Sequence, residues 1–244
     1  MHSMTTRLKT RQQENKKNPR FAMIIDTETT GLLPKNMQQL GLIKEEELKE
    51  MPYITQLSYI IYDIVDKTIV GHYDTYIKIP KHVEISEIVT KITGITREKC
   101  DTGVDIVVAL NQLYDAYKGC DCIIAHNMWF DSRMIRLECR RHYKKLPYIK
   151  MTKIMFYNSD KNHVNIQCTM FEGTKYCSLK KWPRLANLYQ LLFEEDIESY
   201  GIPLHNSLVD VLVCLRCYLK IYQNIEIDKS EFEKYIEQLN IKGT

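Results

Sequence analysis

No apolar stretch in this chain approaches the roughly 18 unbroken residues that a membrane helix needs, and residues 1–20 hold no apolar block of the kind a secretory signal requires. Those absences predict an intracellular protein with no membrane contact, cytoplasmic with the nucleus left open. There is no internal repeat and no low-complexity block, so the chain does not read as a repeat array or a fibrous protein. A short-knuckle context is missing too: Cys214 and Cys217 stand at helical i, i+3 spacing and Cys120 and Cys122 flank a strand start, and neither pair sits in a metal ribbon. The eight cysteines, Cys100, Cys120, Cys122, Cys139, Cys168, Cys177, Cys214 and Cys217, are scattered, several of them inside apolar runs. This argues against a zinc site and a disulfide framework and predicts reduced, mostly buried thiols.

What is present suffices for one core. With 244 residues, 44% of them hydrophobic, the expectation is one compact domain with short appendages. The net charge of +3 is unevenly spread, because residues 1–20 carry +5 and the rest carries −2. That polar segment lacks apolar periodicity and reads as a disordered basic tail, either solubilising or binding phosphate without specificity.

The first ordered element is Phe21-Ala-Met-Ile-Ile25, an apolar run fit for a buried central strand with Asp26 at its tip. Residues 53–64 and 72–79 are rich in Ile, Tyr and Thr around an Asp66-Lys67 turn, and predict two further strands in antiparallel pairing. Between the first two strands, residues 32–52 read as a surface excursion with a charged helical turn at Lys44–Glu50. Helices are expected over 86–93, 104–117, 129–142, 185–193, 206–222 and 229–239, with strands over 122–125 and 165–170. Strands first and alternation later point to an α/β fold, a mixed sheet with helices on its faces.

Three fragments carry candidate chemistry, and each also has a structural reading. Asp26 and Glu28, at i and i+2 in an extended segment, share a face, where paired carboxylates suit a hard divalent cation; a polar strand end would look the same. Gly31 lets the backbone turn tightly beside them. Asp131, in His126-Asn-Met-Trp-Phe-Asp131, stands where a helix starts after a short strand, so it either answers the helix dipole or joins Asp26 at the ligand-binding edge of the sheet. In His205-Asn-Ser-Leu-Val-Asp210, Ser207 and Asp210 have capping-box spacing, yet a histidine before a helix and an aspartate in its first turn also pair a titratable base with a metal ligand.

In order along the chain, Asp26-Thr-Glu-Thr-Thr-Gly-Leu32, Ile92-Thr-Gly-Ile-Thr96, His126-Asn-x-x-Phe-Asp131 and His205-Asn-x-x-x-Asp210 closely resemble the DEDD superfamily of 3′-to-5′ exonucleases. The final His-x-x-x-x-Asp spacing resembles its histidine branch (DEDDh), with proofreading exonucleases, three-prime repair exonucleases and oligoribonucleases. The likeness runs over residues 21–222; Gln56, where many relatives carry glutamate, departs from it. It implies a ribonuclease H-like five-stranded sheet, three antiparallel strands first and then parallel ones, flanked by helices. An exonuclease domain over 21–225 would be followed by a C-terminal helical extension, 226–244, packed on or beside it. It implies two Mg²⁺ or Mn²⁺ ions, with Asp26 bridging, Glu28 and Asp210 completing one shell, Asp131 in support and His205 as the base. Leu32 as a wedge, with Thr29, His126 and Asn127, would line the pocket for the terminal nucleotide.

The activity so implied is release of nucleoside 5′-monophosphates from single-stranded or mispaired DNA 3′ ends, in proofreading or repair. Short RNA is the alternative substrate, and an inactive nucleic-acid-binding module of the same fold is the rival class. A polymerase or other protein partner would use the tail or the C-terminal helix. From Arg140 to Asn165 a local charge of +6 is interleaved with Tyr143, Tyr148, Phe156 and Tyr157, and Lys175, Lys180, Lys181, Trp182 and Arg184 extend it. This reads either as a solvated face or as a groove that tracks phosphates and stacks bases.

Overall fold

The structure is a computed structural model that describes residues 19–34, 43–146 and 165–241. Most of the basic tail, part of the 32–52 excursion, and the 147–164 stretch with Lys150, Lys153, Lys161, Tyr148, Phe156 and Tyr157 lie outside the described residues.

One five-stranded sheet forms the frame, in the order β3-β2-β1-β4-β5. Strands β1 (Phe21–Thr29), β2 (Ile54–Asp63) and β3 (Thr68–Tyr76) pair antiparallel, and β4 (Cys122–Ala125) and β5 (Asn165–Cys168) add in parallel beside β1. β1 is longer than its apolar run. It continues through Asp26 and Glu28, which lie opposite Ser58 and Gln56 of β2, so the motif residues sit inside a paired strand and not beyond its tip. β3 begins at Thr68, directly after the turn, because Lys67 adopts a left-handed φ of 52° and reverses the chain at once.

Helices cover both faces, and the alternation of β1 shows how. Ala22 and Ile24 pack into one core with α8 (Ser207–Tyr218), while Met23 and Ile25 pack into the other with α4 (Ile106–Tyr117) and α5 (Met128–Arg141). A strand buried on both faces reads as a continuous apolar run because neither side meets water. Residues Ile92 to Thr96 form a joint: α2 (Glu87–Thr93) ends on left-handed Gly94, Ile95 is fully buried, and the Thr96 side chain caps α3 (Arg97–Thr102). A short α1 (Glu45–Leu48) sits in the excursion.

Residues 165–168 are strand, but Thr169–Tyr176 form helix α6, which extended-looking sequence hides. Its Gly173 is demanded by packing, since a Cβ there would meet both Leu188 methyls of α7 (Leu185–Phe193) at 2.7 Å. The last helix, α9 (Lys229–Gln238), buries Phe232, Tyr235 and Ile236 in the α8 core, and Arg216 of α8 donates to the Ile227 carbonyl at 2.9 Å. All eight cysteines are free, six of them buried.

The excursion is tied to α5 by Arg141. Its guanidinium bonds the Leu48 and Met51 carbonyls, stacks on Tyr53, and pairs with Glu138 at 2.7 Å, where both side chains are nearly dry. Glu138 in turn accepts from the Ile54 amide at 3.2 Å. Removing one partner of a buried pair strands the other charge, at a typical cost of about 3–5 kcal/mol. Arg141→Ala is therefore expected to lower unfolding stability in urea by about 3 kcal/mol; a loss below about 1 kcal/mol would put the pair with ordinary surface bridges.

Candidate active site

The alternation that divides the core also divides the Asp26–Thr29 motif. Asp26 and Glu28 follow Ala22 and Ile24 onto the face covered by α8, whereas Thr27 follows Met23 and Ile25 onto the face covered by α5. Each helix brings its own acid to its side. α8 opens with His205-Asn206 and carries Asp210 in its first turn; α5 carries Asp131 in its first turn.

One ligand atom each from Glu28, His205 and Asp210 lie within 4.8 Å of one another. Asp131 is buried and joined to the motif through Thr27, whose amide and hydroxyl both donate to Oδ1, at 3.0 and 2.8 Å. The α8 end is tethered twice. The Ser207 hydroxyl donates to the Asp26 carbonyl at 2.8 Å, and the Ser207 amide donates to Gln56 Oε1 at 3.3 Å. Gln56 is itself fixed by donation to Asp74 on β3 at 2.8 Å.

Thr27 and Ser207 thus support the site without having been singled out for it by the sequence pattern, and Gln56, noted there only as a departure from the family, supports it too. Ser207 looked like one end of a capping box, but the cap is Asn206, whose side chain accepts from the Leu208 and Val209 amides. Thr27 could have been found from the strand period, which sends it to the opposite face from Asp26. The glutamine at 56 keeps a hydrogen-bonding link across β2 without adding a fifth carboxylate.

Electrostatically the cluster is held against its own charge. Burial pushes Asp26 up to about 7, against hydrogen bonds that favour ionisation. Burial, reinforced by the charges of Asp26, Asp210 and Asp131, pushes Glu28 up to about 10. Asp131 and Asp210 are raised well above the carboxylate range, by burial first and by the Asp26 charge second. Asp210 Oδ1 is buried with no hydrogen-bond partner. A crowded set of carboxylate oxygens, one of them unanswered, together with an imidazole fits a hard divalent cation such as Mg²⁺ or Mn²⁺.

The expected pocket residues divide. Leu32 is 86% exposed, just past the Gly31 turn, so this apolar side chain stands open to solvent. Thr29 is buried and donates to the Gly31 carbonyl at 2.7 Å, which shapes that turn. Asn127 takes a left-handed φ of 75° ahead of α5 and makes no side-chain cap. His126 has both ring nitrogens engaged inside the protein. Pro183 offers only a carbonyl, so Nε2 donates to it at 3.1 Å, and Nδ1 accepts from Thr169 at 3.0 Å. Burial lowers its pKa to about 4, keeping it neutral. Any part His126 plays in substrate binding is therefore through the loops it joins.

The model of the Exonuclease family (RNase_T) matches residues 23–218. A search of curated proteins finds no match. Solved structures of similar fold include a 3′-exonuclease with a histone mRNA stem-loop (TM-score 0.55, 14% identity, 84% of this chain and 83% of that one). Another is the nuclease domain of 3′hExo, a DEDDh family member, bound to rAMP (TM-score 0.52, 14% identity, 85% and 94%). A third is E. coli Exonuclease I with a dT13 oligonucleotide (TM-score 0.57, 17% identity), of which this chain spans 42% while 84% of this chain is covered. By the match over residues 23–218 this chain, whose five-stranded mixed sheet is of the same fold as these solved structures, belongs to the Exonuclease family.

Proposed function

We propose that the chain removes nucleoside 5′-monophosphates from single-stranded or mispaired DNA 3′ ends, using Asp26, Glu28, Asp131, His205 and Asp210. The observation that carries this is the close approach of Glu28, His205 and Asp210 beside an unpartnered, buried Asp210 oxygen. Asp26, Glu28 and Asp210 would hold divalent ions, two Mg²⁺ or Mn²⁺ by our reading, with Asp131 in support through Thr27. Ions so bound would stabilise charge on the attacking and leaving oxygens of an in-line displacement.

The protein's own residues do the rest. His205 is exposed, next to Glu28 and Asp210, and stands where it can take the proton of an attacking water. Its left-handed φ of 65° turns the backbone into α8, and Ser207 and Gln56 hold that turn against β1 and β2. Leu32 and Thr29 at the Gly31 turn, with Asn127 ahead of α5, would seat the terminal nucleotide. A role in proofreading or repair, with a polymerase or other protein docking through the tail or the α9 region, belongs to this reading. RNA is the second substrate reading, favoured by a fold neighbour bound to rAMP. Time courses on 5′-labelled DNA and RNA strands, with Mg²⁺, Mn²⁺ or chelator, separate the two; loss of label from the 5′ end, or cutting in chelator, would refute the assignment.

Asp26→Ala is expected to abolish hydrolysis. His205→Ala should slow it by about 10² to 10⁴, the usual contribution of a general base, with Mn²⁺ binding by calorimetry retained. Undiminished nucleotide release by either purified variant would remove these residues from the mechanism.

The raised carboxyls also predict how the metal-free protein responds to pH. A carboxyl whose folded pKa is raised leaves the folded state holding more protons than the unfolded one, so stability falls as pH rises toward that folded value. Between pH ~6.5 and ~8 Glu28, raised to about 10, acts together with the raised Asp131 and Asp210, above the range where neutral His126 opposes. Thermal unfolding in chelator should therefore shift to lower temperature from pH ~6.5 to ~8, and Mn²⁺ should remove most of that slope. A flat or rising profile in chelator would mean the carboxyls are not held protonated.

A further inference from the structure

Beside the Gly31–Leu32 turn lies a cavity of about 550 Å³ that also takes in Lys49, Tyr53 and His82. Those same three residues line a second cavity, of about 480 Å³, that reaches Arg140, Arg141, His142, Tyr143, Lys144 and Lys145 at the end of α5. The two therefore adjoin, and together they form a groove from the Gly31–Leu32 turn to the basic end of α5 along the 43–53 part of the excursion.

Its charge is one-sided. Across the two cavities five Lys and Arg side chains stand against two carboxylates, Glu45 and Glu50, and all but Lys49 lie in the second cavity alone. Two of those cations have structural duties: Arg140 donates to the Ile43 carbonyl, and Arg141 holds Leu48, Met51 and Glu138. They fix the wall. Lys49, Lys144 and Lys145 are exposed and make no ion pair among the described residues. Tyr143, also exposed, adds an aromatic face beside Lys144. A fixed basic wall with uncommitted lysines and an exposed ring matches what single-stranded nucleic acid offers, phosphates at intervals with stackable bases between.

We propose that this groove carries the substrate strand 5′ of the scissile bond, with Lys49, Lys144 and Lys145 on its backbone phosphates. The polarity rests on the proposed function: if the 3′ end sits at the carboxylates against Leu32, the upstream chain leaves past Lys49 and His82 toward Lys144 and Lys145. The excursion is then one wall of the substrate path.

Fluorescence anisotropy with oligothymidylate strands of increasing length tests this, on the full chain in an Asp26→Asn background that keeps the strand intact. The triple variant Lys49→Ala/Lys144→Ala/Lys145→Ala should bind long strands at least about tenfold more weakly and lose the gain in affinity with length. Its plot of log affinity against log salt should flatten by about 2, from three phosphate contacts at about 0.7 each. An equal removal of charge outside the groove, Lys67→Ala/Lys229→Ala/Lys234→Ala, should leave slope and length dependence as they were. An unchanged slope in the groove variant, equal flattening by the control, or an equal loss for the dinucleotide would overturn the proposal. Should the Asp26→Asn background still shorten strands, the catalytic reading falls, while the salt slope still decides the groove.

Discussion

Everything in the site depends on β1 being buried on both faces. A strand alternates its side chains with a period of two, so a strand sandwiched between helix layers sends successive residues of one short motif to different partners. Asp26 and Glu28 meet α8, and Thr27 meets α5. One strand therefore gathers carboxylates that lie far apart in sequence. A shift of a single residue in the β1–β2 register would exchange the two sets and send both acids to the wrong layer.

The same arrangement explains why the helix starts are pinned so firmly. Four carboxylates drawn together repel, and burial raises the free energy of every ionised one. Holding them needs bonds that do not spend the carboxylate oxygens facing the centre. Ser207 bonds the Asp26 backbone carbonyl; Gln56 takes the α8 amide; Thr27 uses one oxygen of Asp131 for two donors. Oxygens are left over, Asp210 Oδ1 among them, and these are what a cation would use.

Much of this was legible in the sequence, and what was not has identifiable physical causes. Periodicity gives a mixed sheet with helices on its faces, while the five-stranded arrangement and the grouping of Asp26, Glu28, Asp131, His205 and Asp210 are what the resemblance of the ordered motifs implies. The partners of the neutral supports were not legible: Gln56 stood out only as a departure from the family pattern and Ser207 only as half of a capping box, while Thr27 gains meaning from Asp131, over a hundred residues away in sequence. Helix α6 was missed because Asn165-Ile-Gln-Cys168 runs straight into it, and because Gly173, a poor helix residue, is there for the contact with Leu188. The pocket role expected of His126 came from its motif neighbours. Its locked nitrogens depend on Thr169 and Pro183, which no local pattern reveals.

Charge along the proposed path is graded, and the gradient has a mechanical consequence. Lys49 midway and Lys144 and Lys145 at the far end would attract phosphates without any cofactor; at the carboxylates, a phosphate would meet only like charge until protons or a cation offset it. The two halves of binding are thus separable. Attraction at the basic end is long-ranged, salt-dependent and indifferent to sequence, whereas the acidic end admits the scissile phosphate only once its own charge is compensated. The Arg141–Glu138 pair belongs to the basic part, since the residues that fix the excursion against α5 also fix one wall of the groove. A buried ion pair contributes little net stability against a hydrophobic substitute, so its more evident value here is geometric: it holds a basic wall in line with an acidic centre.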